Sequence, residues 1–103
     1  MNKQAANMLG LCQRAGKLLS GDCQVKNSIK DNRAKLVILA TDASERTKKD
    51  YIYLAKANKI PLIQFSSKTE LGLSVGKARR AALSIIDTNF AKGIHQIIGG
   101  GEA

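Results

Sequence analysis

A chain of 103 residues is the size that folds around one core, and 44% hydrophobic residues with a single proline exclude a disordered polymer. Seventeen Lys and Arg against eight Asp and Glu leave a net charge of +9, which draws polyanions and favours nucleic acid over anionic membrane or acidic protein as partner. No apolar run nears the roughly 20 residues of a membrane span, MNKQAANMLG has no signal-peptide core, and two cysteines with one histidine cannot make a four-ligand zinc site. A cytoplasmic protein is therefore expected, with no membrane partner, no metal and no cofactor.

In chain order, residues 3 to 15 place Ala5, Met8, Cys12 and Ala15 at helical spacing, with Leu9 and Leu11 beside them. Lys17 to Ser20 reads as a short strand ended by Gly21, and a second helix runs from Asp22 to Asp31. KLVILA (35–40) is a continuous apolar run of strand length, as in a strand buried on both faces. Ser44 caps a third helix from Glu45 to Asn58, in which Tyr51, Leu54 and Ala55 form a core face. IPLIQF (60–65) is a strand with Pro61 near its start; SSKTELGLSVG supplies a serine cap and one or two short helical turns. AALSII (81–86) is a further strand, and Asp87 caps the last helix through Ile98. Strands alternating with helices imply a sheet covered on both faces, an α/β three-layer sandwich occupying residues 1–98, with GGGEA (99–103) as a flexible tail. Cys12 and Cys23 are expected reduced and half-buried.

Catalytic patterns are thin. GLSVGKAR has the wrong glycine spacing for a phosphate-binding loop, and Ala78 stands where the Mg²⁺-binding hydroxyl is needed. His95 is a lone histidine in the last helix, and no nucleophile and base lie together, so no enzyme is expected. Tyr51, Tyr53, Phe65 and Phe90 do not interleave with cations as in single-strand binders.

Two stretches remain. In LLSGDCQVKNSIK (18–30) the front of the second helix follows Gly21, which permits close approach, and its free N–H groups suit phosphate. Lys26, Lys30 and Arg33 fall at i, i+4 and i+7 as one basic stripe, and Gln24 and Asn27 can address base edges; the plain structural reading is a solvated face with Asp22 capping and pairing to Lys26. In VGKARRAA (75–82) three cations crowd a glycine-started loop, better explained by an RNA-facing loop than by a structural role. Two basic stretches without catalytic groups indicate binding without chemistry.

The chain resembles the kink-turn-binding ribosomal protein family of the 7Ae type, and within it the small bacterial YlxQ-type members. SGDCQVKNSIK stands where the family has G-x-N-E-x-x-K, KLVILATDAS resembles its strand and Ala-Glu-Asp, and NKIPLIQFSSKTELGLSVG matches its K-x-x-I-P … S-K-x-x-L-G-x-x-x-G pattern. The resemblance implies an α-β-α sandwich around a four-stranded mixed sheet, and a monomer that recognises a kink-turn or similar bent RNA, ribosomal RNA and the ribosome included. Position by position, Gly21 holds the signature glycine, Cys23 the asparagine, Gln24 the glutamate and Asn27 the lysine, with Lys77, Ala78 and Arg79 in a closing loop that is often apolar. The RNA-binding set expected is Lys17, Ser20, Gly21, Asp22, Cys23, Gln24, Lys26, Asn27 and Lys30, with Gly76, Lys77, Ala78, Arg79 and Arg80. The rival expectation is a protein-interaction adaptor of the same fold, using Lys48, Lys49, Tyr53 and Lys56 of the third helix.

Overall fold

The computed structural model describes residues 1–99, so the tail expected over 99–103 lies outside them apart from Gly99. Five helices and four strands alternate in the order α1 (Lys3–Arg14), β1 (Leu18–Leu19), α2 (Asp22–Lys30), β2 (Leu36–Leu39), α3 (Glu45–Ala57), β3 (Leu62–Gln64), α4 (Lys68–Ser74), β4 (Ala82–Ile85) and α5 (Thr88–Ile98). The α/β expectation holds. The strands form one mixed sheet in the order β1-β4-β2-β3, with β4 antiparallel to β1 and β2, and β2 parallel to β3. Among the described residues no helix is long and apolar enough to cross a membrane.

The central strands are β2, the continuous apolar run, and β4, apolar apart from Ser84, and every residue of both is buried. Both of their faces are covered, since α1 packs with α4 and α5 while α2 packs with α3. On α1 the buried face is Ala5, Leu9 and Cys12; Leu11 is 48% exposed, and Ala15 lies past the helix end and is exposed too. The chain turns there at Gly16 (φ 73) toward β1, so the helical period stops before Ala15. Tyr51 is 1% exposed and belongs to the core, as its helical spacing predicts.

One polar pair sits inside this core. Ser28 of α2 donates its hydroxyl hydrogen to the Val25 carbonyl at 2.7 Å, and its oxygen lies 2.8 Å from the Ser84 oxygen of β4. A hydroxyl has one hydrogen, so Ser84 donates to Ser28 and the pair ties α2 to the sheet. Ser28→Ala leaves the Ser84 hydroxyl without its acceptor and should cost about 1–2 kcal/mol, whereas Ser84→Ala removes only a donor and should cost less. Urea unfolding of both single variants and the double variant measures this; the double variant should fall below the sum of the singles.

The strand directions gather the connections. Because β4 runs against β1 and β2, the ends of β1, β2 and β3 and the start of β4 share one end of the sheet. The entries to α2, α3 and α4 and the loop leaving α4 therefore form one rim, at which residues 20 and 80 become neighbours.

Candidate nucleic-acid interface

The rim is built around an open helix end. Asn2, Ser44, Ser67 and Asp87 each cap a helix with a side-chain oxygen, whereas the α2 cap position is Gly21, which has none. The first N–H groups of α2 thus keep the positive end of the helix available. Gly21 itself is in an extended conformation open to any residue, but a Cβ there would stand 3.2 Å from Gln24 Oε1, so the glycine leaves space for that side chain.

Asp22 does not cap the helix; it lies one position inside it. Its carboxylate accepts the Tyr51 hydroxyl at 2.5 Å and pairs with Lys26 at 3.4 Å, while the Lys26 ammonium sits 5.5 Å from the Tyr51 ring centroid. The Tyr51 hydrogen bond holds the Asp22 carboxyl below its ordinary range against partial desolvation, and Lys26 adds to this. Burial first, then the Asp22 bond and charge, push the Tyr51 phenol up. Both shifts stabilise the native protein between them. The Asp22 contribution is present above about pH 4 and is lost as pH falls through its lowered folded-state value. The Tyr51 contribution is present below about pH 10 and is lost as pH rises toward its raised value. Tyr51→Phe should therefore cost about 1 kcal/mol at pH 7, discounted for the exposed carboxylate, with the difference from wild type shrinking below pH 4 and above pH 10. Urea unfolding across that range tests it.

The second side of the rim is the loop from α4 to β4. Gly76 adopts a positive φ of 70°, and the Lys77 N–H bonds to the Gly72 carbonyl at 2.9 Å while the Arg80 N–H bonds to the Lys68 carbonyl at 3.0 Å. The backbone is thereby folded onto α4, and Gly76, Lys77, Ala78 and Arg79 stand exposed on it. Arg80 Nε reaches Ser20 Oγ at 3.5 Å, joining the loop to the approach of α2. A hollow of about 190 Å³ lies where they meet, lined by Ser20, Asp22, Tyr51, Arg79, Arg80, Ala81 and Ala82.

Of the other expected residues, Cys23, Gln24, Asn27 and Lys30 are exposed on α2, and Lys26 is half-buried against Tyr51. Lys17 is not brought to the hollow. It stands at the far end of β1, where its carbonyl accepts from Ile86 N–H at 2.9 Å and Cys12 Sγ at 3.3 Å. The basic stripe is shorter than its spacing suggests: α2 ends at Lys30, Asn32 turns the chain at φ 62, and Arg33 pairs with Asp31 at 3.0 Å.

Sequence reasoning missed the buttress of the rim. Thr41 donates through its N–H and its Oγ1 to the Ser66 carbonyl, both at 2.8 Å, and Asp42 Oδ1 accepts the Lys68 N–H at 2.9 Å. These bonds couple the α3 and α4 entries, and the Asp of TDAS was the available signal. The cysteines are both free. Neither is half-buried as expected: Cys12 is buried, with a thiol pushed up to about 12 by burial and then Asp87, and Cys23 is exposed. Among the described residues no cluster of three or more metal-ligating side chains exists.

Comparison with known proteins gives a consistent picture. Residues 3–95 match the ribosomal protein L7Ae/L30e/S12e/Gadd45 family. The chain is similar to the RNA-binding protein YlxQ of Enterococcus faecium, at 36% identity over 95% of this chain and 94% of that one. It is also similar to the RNA-binding protein YlxQ of Bacillus subtilis strain 168, at 39% identity over 82% and 84% of the two chains. The large ribosomal subunit protein eL8 of Picrophilus torridus is 33% identical over 84% of this chain and 69% of its own. In three dimensions the chain superposes on a protein of unknown function from Bacillus halodurans with a TM-score of 0.88 and 30% identity, covering 93% and 97% of the chains.

Proposed function

The chain belongs to the ribosomal protein L7Ae/L30e/S12e/Gadd45 family, and from that premise we propose that it is a non-catalytic RNA-binding protein of the ribosome-associated kind. It acts as a cytoplasmic monomer, with residues 1–98 as one RNA-binding unit and a kink-turn or similarly bent RNA as its target. The observation that carries this reading is the rim itself: an uncapped helix end beside a cation-bearing loop, joined through Ser20 and Arg80.

The physical case follows from those parts. The open N–H groups of α2 suit an anionic or guanine-edge acceptor, Gln24 and Asn27 offer both donors and acceptors, and Lys30, Lys77 and Arg79 supply charge around them. An ordinary A-form major groove is too narrow for a helix end, so a widened, bent element fits this rim better. The Asp22–Tyr51–Lys26 bonds hold the helix in place rather than spend the carboxylate on RNA.

The test is titration against a labelled kink-turn RNA beside a straight duplex of matched length, at roughly 50 and 200 mM salt. Tighter binding to the kink-turn at both salts is expected; equal binding that vanishes at the higher salt overturns shape recognition. Lys30→Ala should weaken binding to both RNAs alike and reduce the salt slope by about one contact. Lys30 has no carboxylate partner among the described residues, so its charge is free for phosphate. The rival reading, an adaptor for proteins, uses the α3 face of Lys48, Lys49, Tyr53 and Lys56, on which Tyr53 is exposed; a larger hollow of about 690 Å³ at the other end of the sheet, where Leu36, Pro61 and Ala91 lie among Lys35, Lys92 and His95, offers it a second surface.

A further inference from the structure

Tyr53 is 72% exposed on α3, although Tyr51 two residues earlier is buried. Two residues along a helix place side chains on different faces, so an inward Tyr51 leaves Tyr53 facing out. It borders a groove of about 460 Å³ between α2 and α3, lined by Lys26, Lys30, Lys49, Asp50, Tyr53 and Leu54. Three lysines face a single carboxylate there. Lys26 is committed to Asp22 and the Tyr51 ring, whereas Lys30 and Lys49 have no ion pair among the described residues. Cations and an aromatic face that are not interleaved in the sequence are thus interleaved in space, by two helices packed together.

The groove adjoins the rim, since Lys26 in its lining pairs with Asp22 in the lining of the rim hollow. Lys30 lies eight residues along α2 from Asp22, a rise of about 12 Å, so an RNA held at the open end of α2 has its neighbouring nucleotides over these lysines. We propose that the α2–α3 groove takes the unpaired flank of the bound RNA, with one base stacked on Tyr53 and its phosphates on Lys30 and Lys49. The inference rests on the RNA-binding reading and extends it to a second, sequence-tolerant site. Stacking on an exposed ring needs no base-edge contact, because every base has a π-face. The exposed ring and the surplus of cations favour RNA over an acidic protein segment, which would place carboxylates but no flat partner against Tyr53.

The test compares a blunt kink-turn RNA with the same RNA carrying a short unpaired extension on either end in turn. For the wild-type protein one extension should tighten binding about fivefold or more. Tyr53→Phe should keep that gain, Tyr53→Ala should lose it, and both variants should bind the blunt RNA as the wild type does. No gain from either extension, or a gain that survives Tyr53→Ala, overturns the proposal. Failure to prefer the blunt kink-turn over a duplex, with the Tyr53-dependent gain intact, overturns the kink-turn reading alone. A polyglutamate peptide that binds through Tyr53 while the extensions give no gain makes the groove a protein surface and overturns the RNA assignment.

Discussion

Gly72→Ala is expected to cost about 3 kcal/mol of stability and about tenfold or more in affinity for bent RNA. A Cβ at Gly72 would stand 1.7 Å from the Ala78 carbonyl oxygen and 2.6 Å from its carbonyl carbon. Both are backbone atoms with no rotamer to move to, so the whole α4–β4 loop must lift. Lifting it breaks the 2.9 Å bond from Lys77 N–H to the Gly72 carbonyl and carries Arg79 and Arg80 away from Ser20. The loop is at the surface, so the sheet and its core survive the change and the two losses can be measured on one folded sample. Leu73→Ala, next in the chain but 71% exposed, is the control and should stay within about 0.5 kcal/mol of wild type. Wild-type stability in Gly72→Ala would show that the loop is not held by this close approach.

How much of this was readable from the residues depends on the range of the physics involved. Local chemistry was: the apolar run at 36–39 and the stretch 82–85, apolar apart from Ser84, became the two fully buried strands, and Ser44, Ser67 and Asp87 cap the helices they precede. Spacing misled where a helix stopped sooner than its pattern, as at Ala15 and Arg33, because a turn residue in the left-handed region ends the period. The rim was not visible in spacing, since Ser20 and Arg80 meet only through the strand order β1-β4-β2-β3. Tyr53 stood out beside Lys48, Lys49 and Lys56 of its own helix, but its meeting with Lys26 and Lys30 was hidden for the same reason, since those lysines belong to α2.

For Gln24→Ala the expected loss is about 1–3 kcal/mol of affinity for the kink-turn, the range for one good base contact, with little loss on a straight duplex. Gln24 is exposed in the first turn of α2, so its removal should leave stability within about 0.5 kcal/mol of wild type. Gly21→Ala should produce a milder version of the same defect, because the new methyl would press on Gln24 Oε1 from 3.2 Å. The contrast with Lys30→Ala separates the two kinds of contact. Loss at Gln24 should be selective for the bent RNA and nearly independent of salt, while loss at Lys30 should be shared by all RNAs and fade as salt rises. Equal, salt-independent losses in both variants would defeat that division of roles.

The central claim is that the open end of α2 and the loop before β4 together form the RNA-binding rim. Amide chemical-shift mapping of isotope-labelled protein, titrated with a kink-turn RNA, addresses it residue by residue. The largest shifts are predicted at Ser20–Asn27 and Gly76–Arg80, with α5 undisturbed. Shifts centred on α5 and the hollow around Lys35 and His95, with the rim silent, would contradict it.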